Sequence, residues 1–123
     1  MATESFRVDT SEFGDLAAQL QRNLDSLLTD ARRETVAAGK EIQRKARAAA
    51  KSKTMPGLSR SIWANTKNTA SGVEVVVEAK SPLGYIREYG AGRSGPHPFM
   101  GPALDSTLPG WESALQAALS KVL

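Results

Sequence analysis

A glycine-rich loop is the first stretch of this chain whose composition could do chemistry. It reads Gly90-Ala91-Gly92-Arg93-Ser94-Gly95 and matches the glycine spacing of a dinucleotide-binding fingerprint. That fingerprint needs a buried strand before it and a helix after it, because the helix N-terminus holds the pyrophosphate. Here an aromatic, charged segment precedes the loop, and Pro96-His97-Pro98 follows it. We therefore expect no nucleotide cofactor and interpret the loop as a flexible segment that becomes ordered when it meets a partner.

Two side chains beside this loop could act as a metal ligand or as an acid. His97 is the only histidine, and a zinc or general-base role needs further ligands or a nucleophile that the sequence does not supply at a recognisable spacing. Glu88 could be a catalytic acid, but a lone carboxylate favours an ion pair or a subunit contact instead. Cysteine is absent, which excludes thiol catalysis, disulfides and cysteine-based metal sites. We expect no enzymatic activity, no metal and no cofactor.

Positive charge is concentrated in the middle of the chain. Residues 40–67 hold eight basic residues and one acid, a net charge of +7, whereas the whole chain carries +3. Arg44, Arg47 and Lys51 are spaced by three and four, so they share one face of a helix. Such a face could neutralise DNA phosphates, or it could be a solvated helix end, where cations are favoured. No aromatic residues are interleaved with these cations, so base stacking is not expected.

The spacing of apolar residues predicts the element that positions this basic face. From Phe13 to Ala49 they recur in steps of three and four, which indicates a long helical region. Either one rod or two helices that break near Thr29-Asp30 would satisfy the pattern. The second half of the apolar stripe is mainly alanine and includes Gly39. These small residues suit either close packing against a neighbour or partial exposure.

The rest of the chain predicts a hairpin and two further helices. Residues 62–66 and 73–79 have strand patterns with a turn at 67–72, and residues 83–89 suggest a short helix. The last helix should kink at Pro109 or effectively begin there, because the residue before a proline disfavours helical backbone. The predicted fold class is α+β, with a long N-terminal helical region packed on a small antiparallel β-sheet and a C-terminal helix. Residues 1–10 are predicted to form an arm, and 11–123 a single domain.

The composition predicts a small protein that needs partners. Only 6% of its 123 residues are aromatic, so the core must be thin, and a hairpin alone is marginal in water. The hairpin must therefore lie on the long helix or continue into a neighbouring subunit's sheet. No run of 18 apolar residues and no signal-peptide pattern is present, so we expect no contact with a membrane.

Three short motifs follow the long helix in a recognisable order. They are Gly57-Leu58-x-x-Ser61, Tyr85-x-x-Glu88-x-Gly90 and Pro98-Phe99-x-x-Pro102-Ala103-Leu104. With a valine-rich hairpin after the first motif and a closing helix at the end, this order resembles the tail-component family of long-tailed bacteriophages. Members of that family are small neck proteins that help to join the DNA-filled head to the tail. The resemblance extends over about residues 13 to 120.

The resemblance implies an α+β subunit without catalytic activity that assembles as a homo-oligomeric ring at the head–tail junction of the virion. Its partners would be other neck, connector and tail proteins. The subunit would lie near phage DNA without binding it specifically, and it would assemble in the host cytoplasm. The alternative function is a small basic DNA-binding protein that acts through residues 40–53. The residues expected at subunit or partner contacts are Tyr85, Glu88, Gly90, Pro98, Phe99 and Pro102.

Two features depart from the family pattern. The loop between the last two motifs is unusually rich in glycine, and Met100-Gly101 stands where a bulkier or basic residue is common. Phe99 is expected to anchor a packing site, either within the subunit or on its neighbour. Gly92 and Gly95 are expected to let the loop move during docking.

Overall fold

The computed structural model describes residues 10–52, 55–69, 72–90 and 95–122, with side chains from residue 14 onward. A hairpin and a C-terminal helix pack against one long helix, which confirms the predicted α+β fold. The elements in order are α1 (Thr10–Ala49), a 3-10 turn (Ser59–Ser61), β1 (Ile62–Thr69), β2 (Gly72–Ala79), α2 (Leu83–Tyr89) and α3 (Met100–Ser120). The predicted arm, apart from its last residue, lies outside the described part. The division into an arm and a domain stays a prediction.

α1 is one uninterrupted helix of 40 residues, so the single rod is the alternative that holds. At about 1.5 Å per residue it is about 60 Å long. Thr29 and Asp30 do not break it, because their side chains are satisfied along the helix surface. The Thr29 hydroxyl donates to the Asp25 carbonyl at 2.9 Å, and the Asp30 carboxylate accepts from the Arg33 guanidinium at 2.9 Å. Neither side chain has to compete for a backbone N–H group of the helix.

The hairpin is longer than the sequence predicted. β1 and β2 pair antiparallel from Ile62 opposite Ala79 to Thr69 opposite Gly72, so the turn predicted at 67–72 was too wide. Lys67 and Asn68 are of types depleted in strands, so pairing with β2 overrides the local preference of these residues. Along β2 the odd-numbered positions are half-buried against α1 and the even-numbered positions are exposed. This alternation is the period of two expected of a strand with one covered face.

The core lies at the C-terminal half of α1. Its buried residues come from α1, the turn before β1, the start of β1 and the start of α3: Ile42, Ala46, Ala50, Leu58, Ile62, Phe99 and Ala103. Ala46 and Ala50 are fully buried, so the alanine stripe serves close packing rather than exposure. A Cβ on Gly39 would overlap the Cγ1 atom of Val75. The close neighbour of this part of α1 is therefore β2 of the same chain.

α3 runs antiparallel to α1 and is anchored to it by polar contacts. The Lys45 ammonium donates to the hydroxyls of Ser106 and Thr107, each at 3.1 Å, and the Trp111 indole N–H donates to the Thr35 hydroxyl at 3.0 Å. The helix begins at Met100 and includes Pro109. The expectation that it begins at Pro109 was wrong, because interactions at its first turn fix an earlier start.

Replacing Gly39 by alanine should destabilise the protein although alanine favours helix. The new methyl group has to displace a β-branched side chain on β2. We expect the free energy of unfolding to fall by about 1–3 kcal/mol in urea titrations, despite a propensity gain of about 1 kcal/mol.

Gly110→Ala is the matched control, because no atom lies within 4 Å of a Cβ at that helical position. It should raise the free energy of unfolding by up to about 1 kcal/mol. Adding Val75→Ala to Gly39→Ala should recover part of the loss. A Gly39→Ala variant as stable as the original chain would contradict the close approach.

Candidate subunit-contact site

The Glu88 carboxylate holds the N-terminus of α3. Its Oε2 atom accepts the backbone N–H groups of Phe99 and Met100 at 2.8 and 3.0 Å, and Oε1 accepts that of Gly101 at 2.9 Å. The first N–H groups of a helix have no partner within it, and a negative charge there also interacts favourably with the helix dipole. Glu88 therefore acts as a cap supplied from α2, and within the described part of the chain it forms no ion pair.

The environment of this carboxylate lowers its pKa. Burial is the largest single influence and raises the pKa of Glu88, but the backbone donors of Met100, Phe99 and Gly101 together outweigh it. All three donors favour the ionised form. Gly101 leaves room for this arrangement, since a Cβ there would lie 3.1 Å from Oε1 of Glu88. The small residue at this position, a departure from the family pattern, fits a tight cap.

Gly90 lets the chain turn from α2 towards α3. Its φ of 79° lies in the region that favours glycine, and its N–H donates to the Ile86 carbonyl at 2.7 Å to close α2. Beyond the loop the chain returns alongside α2, where the N–H of His97 donates to the carbonyl of Arg87 at 2.8 Å. The His97 side chain is exposed. Residues 91–94, including Gly92 of the expected hinge, lie outside the described part.

Phe99 packs inside the chain. Its side chain is only 2% exposed and belongs to the core cluster, so of its two expected packing sites the structure shows the one within the subunit. Gly84 of α2 is buried beneath it, and a Cβ there would lie 2.9 Å from the Cβ of Ala79 and 3.7 Å from the Phe99 ring. No local pattern in the sequence indicated this close approach. Pro98 and Pro102, on either side of the ring, are exposed.

Tyr85 and Tyr89 form the exposed aromatic surface of the motif. They are 71% and 67% exposed, and their ring centroids lie 4.9 Å apart. The four-residue spacing on α2 places both rings on the same side of the helix. Exposed tyrosines supply large contact areas in protein interfaces. A contact role for the six motif residues stays a prediction, and these rings are available for it.

The predicted basic face is present on α1, but its cations differ in their surroundings. Arg44 donates to the Glu41 carboxylate, with Nε at 3.0 Å, and this hydrogen bond lowers the pKa of Glu41. Arg47 Nε donates to the Ile62 carbonyl at 2.8 Å, and its guanidinium lies 4.9 Å from the ring centre of Trp63. Lys51 is exposed at the end of the row. Arg47 thus joins α1 to β1 as well as contributing charge.

A row of exposed leucines is an extensive apolar surface that the sequence did not single out. These positions were interpreted only as the inward face of a helix, and periodicity alone cannot tell whether anything covers that face. The row, here called the leucine stripe, comprises Leu16, Leu20, Leu24 and Leu28, each between 47% and 58% exposed. Its four-residue steps place it along one side of α1.

Within the described residues no group of histidines, aspartates and glutamates is arranged to hold a metal ion. Over the same residues, no helix combines the length and apolar character needed to cross a bilayer.

Comparison with known protein families identified a match over most of the chain. The family model described as "Bacteriophage HK97-gp10, putative tail-component" matches residues 14–90. This range is 77 of the 123 residues, and it contains α1 from residue 14, the hairpin and α2, ending at the glycine that closes α2. No curated protein and no solved structure matched the chain.

Removing the Glu88 carboxylate should destabilise the start of α3 and lower the free energy of unfolding. Glu88→Ala leaves three backbone donors without this partner, and we expect the free energy of unfolding to fall by about 2 kcal/mol at pH 7. Glu88→Gln keeps one acceptor without the charge and should cost about 1 kcal/mol. Urea titrations measure both values. Glu112→Gln, at an exposed position of α3, is the control and should change little.

The Glu88 contribution should also depend on pH. Because the folded-state pKa is lowered, the contribution is complete above the unfolded-state pKa of about 4.3 and is lost as the pH falls through the lower folded-state value. The stability difference between the original chain and Glu88→Gln should therefore shrink below about pH 4. A difference that stays constant or grows on acidification would contradict the cap.

Phe99 and Tyr85 should respond oppositely to truncation. Phe99→Ala empties a core site and should lower the free energy of unfolding by about 3–5 kcal/mol. Phe99→Leu, which keeps most of the apolar volume, should cost less than about 1.5 kcal/mol. Tyr85→Ala removes an exposed ring and should stay within about 0.5 kcal/mol. Equal losses for the two alanine variants in urea titrations would refute the division into a buried anchor and an exposed surface.

Proposed function

The chain belongs to the HK97-gp10-like family of bacteriophage tail components, and we propose that it is a ring-forming structural subunit that joins the DNA-filled head to the tail. Family membership makes it a virion protein whose partners are other phage tail proteins. The proposal adds a position at the head–tail junction, in contact with neck and connector proteins, after assembly in the host cytoplasm.

The leucine stripe is the observation that carries this proposal. α3 spans 21 residues against the 40 of α1, so about 30 Å of helix packs along about 60 Å. Because α3 runs antiparallel from a start near the core, it covers the C-terminal part of α1 and leaves the N-terminal part exposed. Covering a leucine fully is worth about 1.5–3 kcal/mol. A row of four half-exposed leucines is therefore a surface suited to another protein chain.

A ring requires a surface on each side of every subunit. In a closed ring the two contacting surfaces of one subunit differ, and each copy presents both. The described part of the chain offers separate exposed surfaces on different elements, namely the leucine stripe on α1 and the tyrosine pair on α2. Because these surfaces lie on different elements, one subunit can contact more than one other chain at the same time.

The proposed role is non-catalytic. Glu88, the acid that the sequence singled out, has both carboxylate oxygens engaged by backbone donors. Its lowered pKa keeps it ionised at neutral pH, whereas a general acid needs a proton to give. The chemistry available at this carboxylate is helix capping.

A second candidate function is DNA binding through residues 40–53. An open groove on α1, lined by Lys40, Arg44, Arg47 and Lys51, favours it. Two of these four cations already make contacts within the chain, Arg44 with Glu41 and Arg47 with Ile62. The groove therefore has fewer free charges for phosphates than the sequence suggests. Steep salt dependence of DNA binding would be its signature.

Charging the leucine stripe should abolish assembly without unfolding the subunit. In Leu20→Glu/Leu24→Glu, two carboxylates enter a surface that assembly would bury, at a cost far above that of exposing them to water. Sedimentation velocity should show oligomers for the original chain and folded monomers for the variant. Circular dichroism should show the helix content unchanged.

Ala18→Glu/Ser26→Glu is the matched control. Both positions are exposed, and they lie on the side of the same helical segment that faces away from Leu20 and Leu24. This variant adds the same charge and should assemble normally. An original chain that stays monomeric at all concentrations and also fails to bind to tail components would contradict the proposed function. Tight, salt-sensitive binding to DNA by such a monomer would favour the second candidate instead.

A further inference from the structure

The open groove on α1 carries a lysine at each of its two ends. Its lining residues are Lys40, Gln43, Arg44, Arg47, Ala48 and Lys51, and this surface is called the basic groove. Within the described residues, Lys40 and Lys51 take part in no ion pair, whereas Arg44 is paired with Glu41. Eleven residues separate the two lysines, which is about 16 Å along the helix. Both are exposed.

The outer face of the hairpin carries the opposite charge. On β2 it presents Glu74, Val76 and Glu78, all exposed, and these three residues are called the acidic hairpin face. Neither glutamate forms an ion pair within the described residues, even though Lys67 lies opposite Glu74 in the register. Four residues of strand separate the two carboxylates by about 14 Å. Val76, between them, is 42% exposed.

The two surfaces match in charge and in length. The two carboxylates are about 14 Å apart along the strand, and the two lysines are about 16 Å apart along the helix. Lysine side chains are flexible enough to make up the difference of about 2 Å. Val76 then faces the middle of the groove, where Ala48 and the aliphatic part of Gln43 offer an apolar contact. Arg47 also lies there and adds positive charge, whereas Arg44 is paired with Glu41. Two charge pairs flanking a small apolar contact form a pattern that fixes register and orientation.

One copy of the chain cannot bring these surfaces together. Gly39 of α1 faces the inner side of β2, through Val75, so the acidic hairpin face points away from α1. Lys40 is the next residue along the helix and projects about 100° around its axis from Gly39. Arg47 of the groove lies over Trp63, which stands opposite Glu78, so the two surfaces adjoin along one edge within a copy. The core nevertheless holds the hairpin on α1, and within the described residues neither Glu74 nor Glu78 forms an ion pair with the groove.

We propose that the acidic hairpin face of one copy docks into the basic groove of the next. This inference rests on the proposed function and specifies the subunit contact within it. The contact is heterologous, because each copy uses its hairpin towards one neighbour and its α1 groove towards the other. Since the two surfaces point in directions about 100° apart rather than in opposite directions, repetition of the contact curves the assembly towards closure.

Reversing charges tests this contact, and the substitutions are needed only at exposed positions. Lys40→Glu/Lys51→Glu and, separately, Glu74→Lys/Glu78→Lys should each raise the dissociation constant for assembly by about 100-fold or more. The chain that carries all four reversals should assemble again, and so should a one-to-one mixture of the two double variants. Assembly of the original chain should weaken as sodium chloride is raised.

Two further variants serve as controls, one for repulsion with Lys67 and one for the change in net charge. Glu74→Gln/Glu78→Gln places no cation opposite Lys67, and it should weaken assembly in the same direction but less. Asp105→Lys/Glu112→Lys makes the same charge change at exposed positions of α3 and should assemble like the original chain. Circular dichroism confirms that each variant is folded.

The outcomes separate this inference from the function on which it rests. Loss of assembly in both double variants, with recovery in the mixture, supports the contact. Assembly that is unchanged in either double variant, or not recovered when the charges are exchanged, overturns the contact while leaving the ring intact. Loss of DNA binding by Lys40→Glu/Lys51→Glu with normal assembly would assign the groove to DNA and also overturn it. An original chain that never assembles overturns the proposed function itself.

Discussion

The cap that Glu88 provides to α3 is the interaction on which the arrangement of this subunit depends. It fixes the first turn of the helix beside α2, and this position places Phe99 and Ala103 in the core. From that start α3 runs back along α1 and ends after 21 residues. Within the described residues no element covers the N-terminal part of α1, and its leucines are exposed. Three part-buried hydrogen bonds between a short helix and the start of the next one thus help to decide which surface is left for a partner.

The elements that depend on local patterns could be predicted from the sequence, whereas the features that depend on distant contacts could not. The apolar spacing of α1 and the alternation along β2 were sufficient to predict both, because periodicity reflects which side is buried. For Pro109 the sequence left two alternatives, a kink or a helix start, and the second was wrong. Pro109 is a local signal, whereas the cap that fixes the start at Met100 comes from Glu88, eleven residues distant from Phe99. Local patterns also could not say whether Phe99 points inward, or that Gly84 lies beneath it.

Three residues of the motifs that carried the family resemblance act within the subunit. Glu88 and Gly90 shape the connection to α3, and Phe99 completes the core. Glu88 and Gly90 lie within the range that the family model matches, whereas Phe99 lies beyond it. The surfaces available to partners lie elsewhere, on the leucine stripe, on Tyr85 and Tyr89, and on the two oppositely charged faces. Of the six residues expected at partner contacts, Glu88, Gly90 and Phe99 build the subunit, whereas Tyr85, Pro98 and Pro102 are exposed. Their contact role stays a prediction.

The proposed role of this subunit is to form part of a ring at the head–tail junction. Electron cryo-microscopy of the assembled phage particle tests this role most directly, because α1 is long enough to be placed in density without ambiguity. We expect a closed ring of this chain between head and tail, with the leucine stripe of each copy covered by protein. Density for the chain at another position in the particle, or at the junction with Leu20 and Leu24 facing solvent, would contradict it.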